Sequence, residues 1–333
     1  MTTFAEKVSC HAVAERIYSV RLPLPFALNH VNCYLLRDDD GWTIVDAGLN
    51  RPEIRELWQA AWRELAIAPH DIRRIVLTHM HPDHFGLAGW LQEQTGAPVF
   101  LSPREHEIAR VTWLEEMTAE RNADLDRYLH AAGVSPDVAT IIQTQQDYLR
   151  SLTFPHPHEI LTIAPGESVT MGGRHFQAIH APGHADGQLI FYSAQDRLVI
   201  CGDQVLNRIT PNIGVWPTTE TDPLARYLDS LAHLAALEVT LALPGHYAAV
   251  TTWQARLAEL QAHHAHRLDA MYAAAREGAT ALDVSYAVFD YDRFSTHEIR
   301  FAVAETLAHL EYLAEAGRLV RVEETKHRLY RAA

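Results

Sequence analysis

Apolar residues fall in short runs through the first half of the chain and in longer helical periods toward its end. Ile17 to Leu22, Cys33 to Arg37 and Trp42 to Val45 read as strands, with Asp38-Asp39-Asp40-Gly41 as a hairpin turn between the last two. Pro52 to Leu65 carries helical periodicity, and Ile72 to Leu77 reads as a buried strand running into Thr78-His79-Met80-His81-Pro82-Asp83-His84. Asp83 and His84 are expected to open a helix that reaches about Gln94, with Pro82 near its first turn and Gly86 and Gly89 permitting close packing. From about Arg104 to Arg150 the alternation of strand and helix lapses. Glu105 to Arg121 and Asp137 to Leu149 are helical, with a Gly133-Val134-Ser135-Pro136 break before the second, which predicts a helical insertion. Strands resume at Glu159 to Ile163, Ser168 to Thr170, His175 to Ile179, Leu189 to Tyr192 and Arg197 to Cys201. A helix from Asp222 to Leu234 and a strand from Thr240 to Leu243 complete this second β half.

The pattern changes after about Val250. Trp253 to Glu277, Ala279 to Val288 and Ser295 to Ala316 are helical, and Leu319 to Arg331 reads as a hairpin turning near Glu324-Thr325-Lys326. The chain is therefore expected to divide into residues 1–252 and a small unit of three helices and a wing, residues 253–333, without repeat or low-complexity linker.

Composition narrows the function classes. A length of 333 residues is enough to bury a substantial core without staples. Cys10, Cys33 and Cys201 form no C-x-x-C pair, so neither a disulfide framework nor a zinc knuckle is expected, and a reducing cytoplasm fits. Met1 to Arg21 lacks a cationic start and apolar run, and no stretch is long enough to cross a bilayer, so the reading is a cytoplasmic protein without a membrane partner. The formal net charge of -14 argues against a broad nucleic-acid footprint. Histidine is unusual: 21 are present, several in turn-like loops that follow apolar strands.

The run His79-x-His81-x-Asp83-His84 places three imidazoles and a carboxylate within one strand-to-helix turn. Residues 79 and 81 project the same way while 83 and 84 swing onto the next turn, so one pair can grip one ion and the other pair its neighbour. Nitrogen and hard oxygen donors suit zinc, manganese or iron. Other histidines read more blandly: His263, His264 and His266 as a solvated helix face, His156 and His158 as a loop. Trp113, Tyr128, Tyr148 and Phe154 either line a substrate cavity or are core, and the insertion is as readily a lid as not.

The cluster resembles the H-x-H-x-D-H signature of the metallo-β-lactamase-fold hydrolases. In the family's order, Val45-Asp46-Ala47-Gly48 is similar to the early Asp-x-Gly element, His180-Ala181-Pro182-Gly183-His184 to the first Pro-Gly-His, Cys201-Gly202-Asp203 to the strand-end Gly-Asp, and Leu243-Pro244-Gly245-His246 to the last Pro-Gly-His. The resemblance implies an αββα four-layer sandwich. It also implies two divalent metal ions, zinc first with manganese or iron as alternatives, on His79, His81, Asp83, His84, His184, Asp203 and His246, with Asp203 bridging. Asp46 would support the metal loop without binding metal, and Asp83 would bind one ion and, in a second role, shuttle a proton. Ala181 departs from the threonine common in its element, and Gln188 from a histidine found in many relatives. The tail resembles the winged-helix domain appended to some relatives, in a hydroxyacylglutathione hydrolase-like or endoribonuclease-like branch.

Several branches are set aside by the same residues. Asp203 stands where the best-known zinc β-lactamases have cysteine, His81 where the flavodiiron branch has glutamate, and the insertion is too short for an RNA-cleaving cap domain. The expected function is hydrolysis by a metal-bridged hydroxide, two cations about 3.5 to 4 Å apart, on a small ester, thioester or lactone. A phosphodiesterase or endoribonuclease and a mononuclear iron persulfide dioxygenase are the alternatives, and a non-catalytic metal-binding module is a remote fourth. The tail helix carries Glu298, Glu305, Glu311 and Glu315 against one arginine, Arg300, so nucleic acid is not the expected partner, and packing or homo-oligomer contact is the more economical role.

Overall fold

The computed structural model describes residues 10–26, 28–294, 296–324 and 327–333. Strands β1 (Cys10–Ala14), β2 (Ile17–Pro23), β3 (His30–Arg37), β4 (Trp42–Val45), β5 (Ile72–Val76), β6 (Val99–Leu101) and β7 (Ile160–Thr162) form one sheet in that order. A second sheet contains β8 (Ser168–Met171), β9 (Arg174–His180), β10 (Leu189–Ser193), β11 (Leu198–Gly202) and β12 (Leu241–Pro244), ordered from β12 to β8. Hairpin neighbours are antiparallel, but β4 to β7 run parallel, as do β11 and β12. Parallel neighbours need crossovers, and helices supply them. α1 (Pro52–Glu64) joins β4 to β5, α2 (Pro82–Phe85) and α3 (Ala88–Thr95) join β5 to β6, and the insertion follows as α4 (Pro103–Ala109), α5 (Ala119–Ala131) and α6 (Pro136–Ser151). α7 (Pro223–Leu234) crosses from β11 to β12.

Three apolar layers hold this together. Ile17, Tyr34, Leu36, Val45 and Val76 of the first sheet meet Phe176, Phe191, Leu198 and Leu243 of the second. The outer face of the first sheet packs on Ile54, Trp58 and Leu91, and that of the second on Tyr227 and Leu231. The result is the expected αββα sandwich, in which each fully buried large side chain contributes about 1.5–3 kcal/mol.

The tail comprises α8 (Trp253–Ala275), α9 (Ala281–Val288), α10 (Thr296–Glu315) and the hairpin β13 (Leu319–Glu323) and β14 (Arg328–Ala332). It shares the core of the second sheet through Leu257, Leu260, Val303, Leu307 and Leu310. Residues 302–310 of α10 are buried, Ala304 O accepts the Val215 N–H, and Arg300 donates to Gln146 of α6. α10 is thus a central packing element. Ser295, Thr325 and Lys326, which the sequence pattern places at a helix start and a turn, lie outside the described residues. Among the described residues no helix is long and apolar enough to cross a membrane.

Local expectations differ at four places. The helix expected from Asp83 to Gln94 is two, because the Leu87 N–H goes to Gly48 O at 2.8 Å instead of continuing the helical ladder. Glu105 to Arg121 is not one helix: α4 runs into a π-helical turn at Arg110–Leu114, Glu115 is extended, and Thr118 caps α5 by accepting the Arg121 N–H. Strands β1 and β6, which the apolar pattern does not predict, are short. His264 is not on a solvated face; it is buried, stacked on His309 with Nδ1 3.1 Å from its Nε2.

Candidate metal centre

Each candidate residue lies just beyond the C-terminal end of a strand: Asp46 after β4, His79 to His84 after β5, His184 after β9, Asp203 after β11 and His246 after β12. Backbone bonds tie these loops into one edge: the Leu189 N–H reaches Thr78 O, and the Gly245 N–H reaches Gly202 O. Tyr34 and Asn32 of β3 donate to Pro244 O at 2.7 and 3.1 Å, fixing the last loop across the two sheets.

Asp46 is the internal anchor. It adopts a left-handed backbone (φ 61°), uncommon for a non-glycine residue, and its buried carboxylate is spent within the protein. Oδ1 accepts the Thr78 N–H at 2.8 Å, both oxygens lie near 3 Å from the Thr78 hydroxyl, and Oδ2 accepts His84 Nδ1–H at 2.8 Å. His79 Nδ1 rests 2.9 Å from the same hydroxyl. His184 Nδ1–H donates to Asn212 O at 2.9 Å, and His246 Nδ1–H to His30 O at 2.6 Å. Oxygen partners at Nδ1 of these four rings direct each Nε2 inward, the arrangement that orients imidazoles toward a metal.

The inward atoms converge. His81 Nδ1 lies 3.0 Å from His79 Nε2 and 2.9 Å from His184 Nε2. On the other side, Asp83 Oδ2 is 3.3 Å from His246 Nε2 and 3.9 Å from His84 Nε2. Asp203 stands between, 3.6 Å from His184, 3.4 Å from His84 and 3.1 Å from His246. Three overlapping ligand groups result: His79, His81 and His184; His79, His84 and Asp203; Asp83, His84 and His246. Among the described residues, His84 Nε2, His246 Nε2 and Asp203 Oδ1 are buried without a hydrogen-bond partner. Buried orphan donors of this kind, nitrogen and carboxylate together, fit a divalent cation.

Electrostatics divide the cluster the same way. Burial, reinforced by neighbouring imidazoles, holds His79 well below the usual histidine range and His81 near 3, so both keep free lone pairs. For His84 burial acts downward, yet Asp46, Asp203 and Asp83 outweigh it and raise the ring well above that range; His246 is raised to about 10 by Asp203 and Asp83 against the same burial. Positive charge is favoured where the carboxylates gather.

Glycine is required beside this cluster. A Cβ on Gly245 would overlap Asp203 Oδ1 and approach His84 Cε1 to 2.6 Å. Two supporting residues carry no signal in the sequence. Glu105, fully buried at the start of the insertion, accepts the Met80 N–H at 2.8 Å and the Gly187 N–H at 2.7 Å, joining the loop of His79 and His81 to the loop of His184. Burial pushes its carboxyl up to about 7 against those two bonds. Asn212, whose carbonyl holds His184, donates its amide to Phe301 O and Glu305 Oε2 of α10, both at 3.2 Å. Trp113 is core, donating to Met80 O, and Tyr128 donates to Val215 O, whereas Tyr148 and Phe154 are exposed. Gln188 is fully buried and donates its amide to Cys201 O at 3.2 Å.

A buried histidine and carboxylate set at one edge of a two-sheet sandwich defines a metal-dependent hydrolase. The chain belongs to the metallo-beta-lactamase superfamily, which residues 27–246 match, while residues 268–331 match the metallo-beta-lactamase-like C-terminal domain. It is 26% identical over 314 residues to the probable metallo-hydrolase YqjP of Bacillus subtilis, spanning 90% of this chain and 92% of that protein. The crystal structure of a metallo-beta-lactamase family protein of Thermus thermophilus superposes with a TM-score of 0.86 at 32% identity, covering 97% of this chain and all of that one. A beta-lactamase domain protein of Burkholderia ambifaria gives 0.87 at 30% identity, covering 99% and 97%.

Proposed function

We propose that this hydrolase holds two divalent cations, zinc first, and cleaves a small ester, thioester or lactone. The observation that carries the two-ion reading is Asp203, whose carboxylate lies between His184 on one side and His84 and His246 on the other. His79, His81 and His184 would hold one ion and Asp83, His84 and His246 the other, with Asp203 shared. When bound, such a pair polarises the substrate oxygen and makes water nucleophilic near neutral pH.

The protein's own groups do the rest. Asp46 and Thr78 fix the rings of His79 and His84, and Asn212 and His30 those of His184 and His246. Asp83, with 15% of its side chain exposed, would accept a proton from attacking water and return it to the leaving group.

A compact acyl substrate is favoured over a polynucleotide by charge. Residues 104–150 hold five arginines and no lysine against nine acids. Of those arginines, Arg104, Arg110, Arg121 and Arg127 are already paired with carboxylates. A strand of phosphates wants free cations along its path, and little is offered here. The tail, winged-helix-like in its elements, buries the helix that would enter a groove. Parallel assays of zinc- and manganese-loaded protein on thioesters, lactones, bis-nitrophenyl phosphate and single-stranded RNA test this. Turnover of acyl substrates, lost in His79→Ala, is expected; efficient RNA cleavage without acyl turnover would reverse the reading, and oxygen consumption with a persulfide would replace hydrolysis altogether.

A further inference from the structure

Most arginines of this protein that leave solvent do so beside a carboxylate. Arg104 is bound by Glu107, Asp186 and Glu220, Arg226 by Asp186 and Glu220, and Arg321 by Glu311 and Glu315. Arg300 is different. It is 8% exposed, and among the described residues no carboxylate lies within ion-pair distance of it. Among the described residues its one side-chain hydrogen bond goes to Gln146 Oε1 at 3.1 Å, and Nε is sealed without a partner. The guanidinium lies over the rings of Phe301 and Trp216, with centroids 4.3 and 5.6 Å away. Burial lowers its pKa only to about 10, so it stays charged at neutral pH. A buried, uncompensated cation is costly, and proteins that keep one ordinarily supply an anion.

The position of that charge says what the anion is. Phe301, the next residue, accepts the Asn212 amide, and the Asn212 carbonyl holds the candidate ligand His184. Trp216 belongs to the same segment, which packs on α10 through Gly214 and Ala304. On the insertion side, Arg150 lies one helical turn from Gln146 on α6, and its Nη1 and Nη2 are likewise sealed without a partner among the described residues. Arg300 is therefore joined to His184 through Phe301 and Asn212 and to the insertion through Gln146, and a guanidinium fork with aromatic walls is suited to an oxyanion.

We propose that Arg300 is a specificity-determining residue that binds an oxyanion group, carboxylate or phosphate, carried by the substrate away from the bond that is cleaved. This rests on the hydrolase reading above and names the substrate class within it. The substrate would be an anionic acyl compound.

The test compares 4-nitrophenyl acetate with mono-4-nitrophenyl succinate, which keeps the same leaving group and adds a carboxylate to the acyl part, on the metal-loaded full chain. The wild type should favour the succinate ester in kcat/KM, and Arg300→Met should shrink that preference by about tenfold or more, chiefly through KM, with Arg300→Lys restoring part of it. Equal loss on both esters, or an unchanged preference, would overturn the proposal. If neither ester is cleaved and thioesters and lactones are also untouched, the acyl-hydrolase reading fails separately. Thermal shifts with succinate and with inorganic phosphate then decide on Arg300: stabilisation by either ion in the wild type but not in a folded Arg300→Met supports it, and its absence in both contradicts it.

Discussion

Glu105 holds the peptide of Met80 from inside the protein, its Oε2 accepting the Met80 N–H at 2.8 Å while Oε1 accepts the Gly187 N–H at 2.7 Å. Met80 lies between His79 and His81, and Gly187 three residues past His184, so one carboxylate sets the spacing of the three imidazoles that converge on the first group. Glu105→Gln keeps the volume but turns one acceptor into a donor that faces an N–H. The expected result is a folded protein destabilised by about 1–3 kcal/mol that loses metal to a chelator faster than wild type. Unchanged melting and unchanged metal release would remove Glu105 from the site.

Gly245→Ala adds one methyl beside Asp203 and His84. Because its Cβ would overlap Asp203 Oδ1, the carboxylate must swing out of the cluster. Metal analysis should show at least one ion lost, with circular dichroism near wild type, since the residue lies in a loop past β12. Full metal content in this variant would mean that the loop yields more readily than the packing allows.

Much of this site was legible in the sequence because its donors come in local words. His79 to His84 share one turn, and the two Pro-Gly-His elements place a ligand directly after a glycine that close packing demands. Most strands and the helical insertion were legible too, through apolar runs and helical periods, whereas β1 and β6 were not. Glu105 was not, since it binds backbone N–H groups 25 and 82 residues away and leaves no side-chain pattern. Asn212 is similar, connecting His184 to α10 across 28 and 93 residues. The break at Leu87 and the burial of His264 were set by tertiary partners, Gly48 and His309, which override local helical periodicity.

Stability should carry a pH signature from Glu305. Burial raises its carboxyl from 4.5 to about 7, against the pull of Arg267 and Asn212. Between those values the folded chain holds a proton that the unfolded chain releases, so this residue's contribution declines as pH rises from about 4.5 to about 7 and stays low above. Glu305→Gln removes the titration. Relative to that variant, the metal-free wild type should lose up to about 3 kcal/mol between pH 4.5 and pH 8, at about 1.4 kcal/mol for each pH unit that separates the two values. A difference in unfolding free energy that is flat with pH would show that Glu305 is not held protonated.

Metal stoichiometry tests the central claim most directly. Protein purified without chelator and reconstituted with zinc should carry about two tightly held ions per chain by elemental analysis, and Asp203→Ala should lose activity and at least one ion while remaining folded. Removing the ions should abolish hydrolysis, and returning them should restore it. A single ion per chain in the wild type, with Asp203→Ala holding the same one, would contradict the two-metal account.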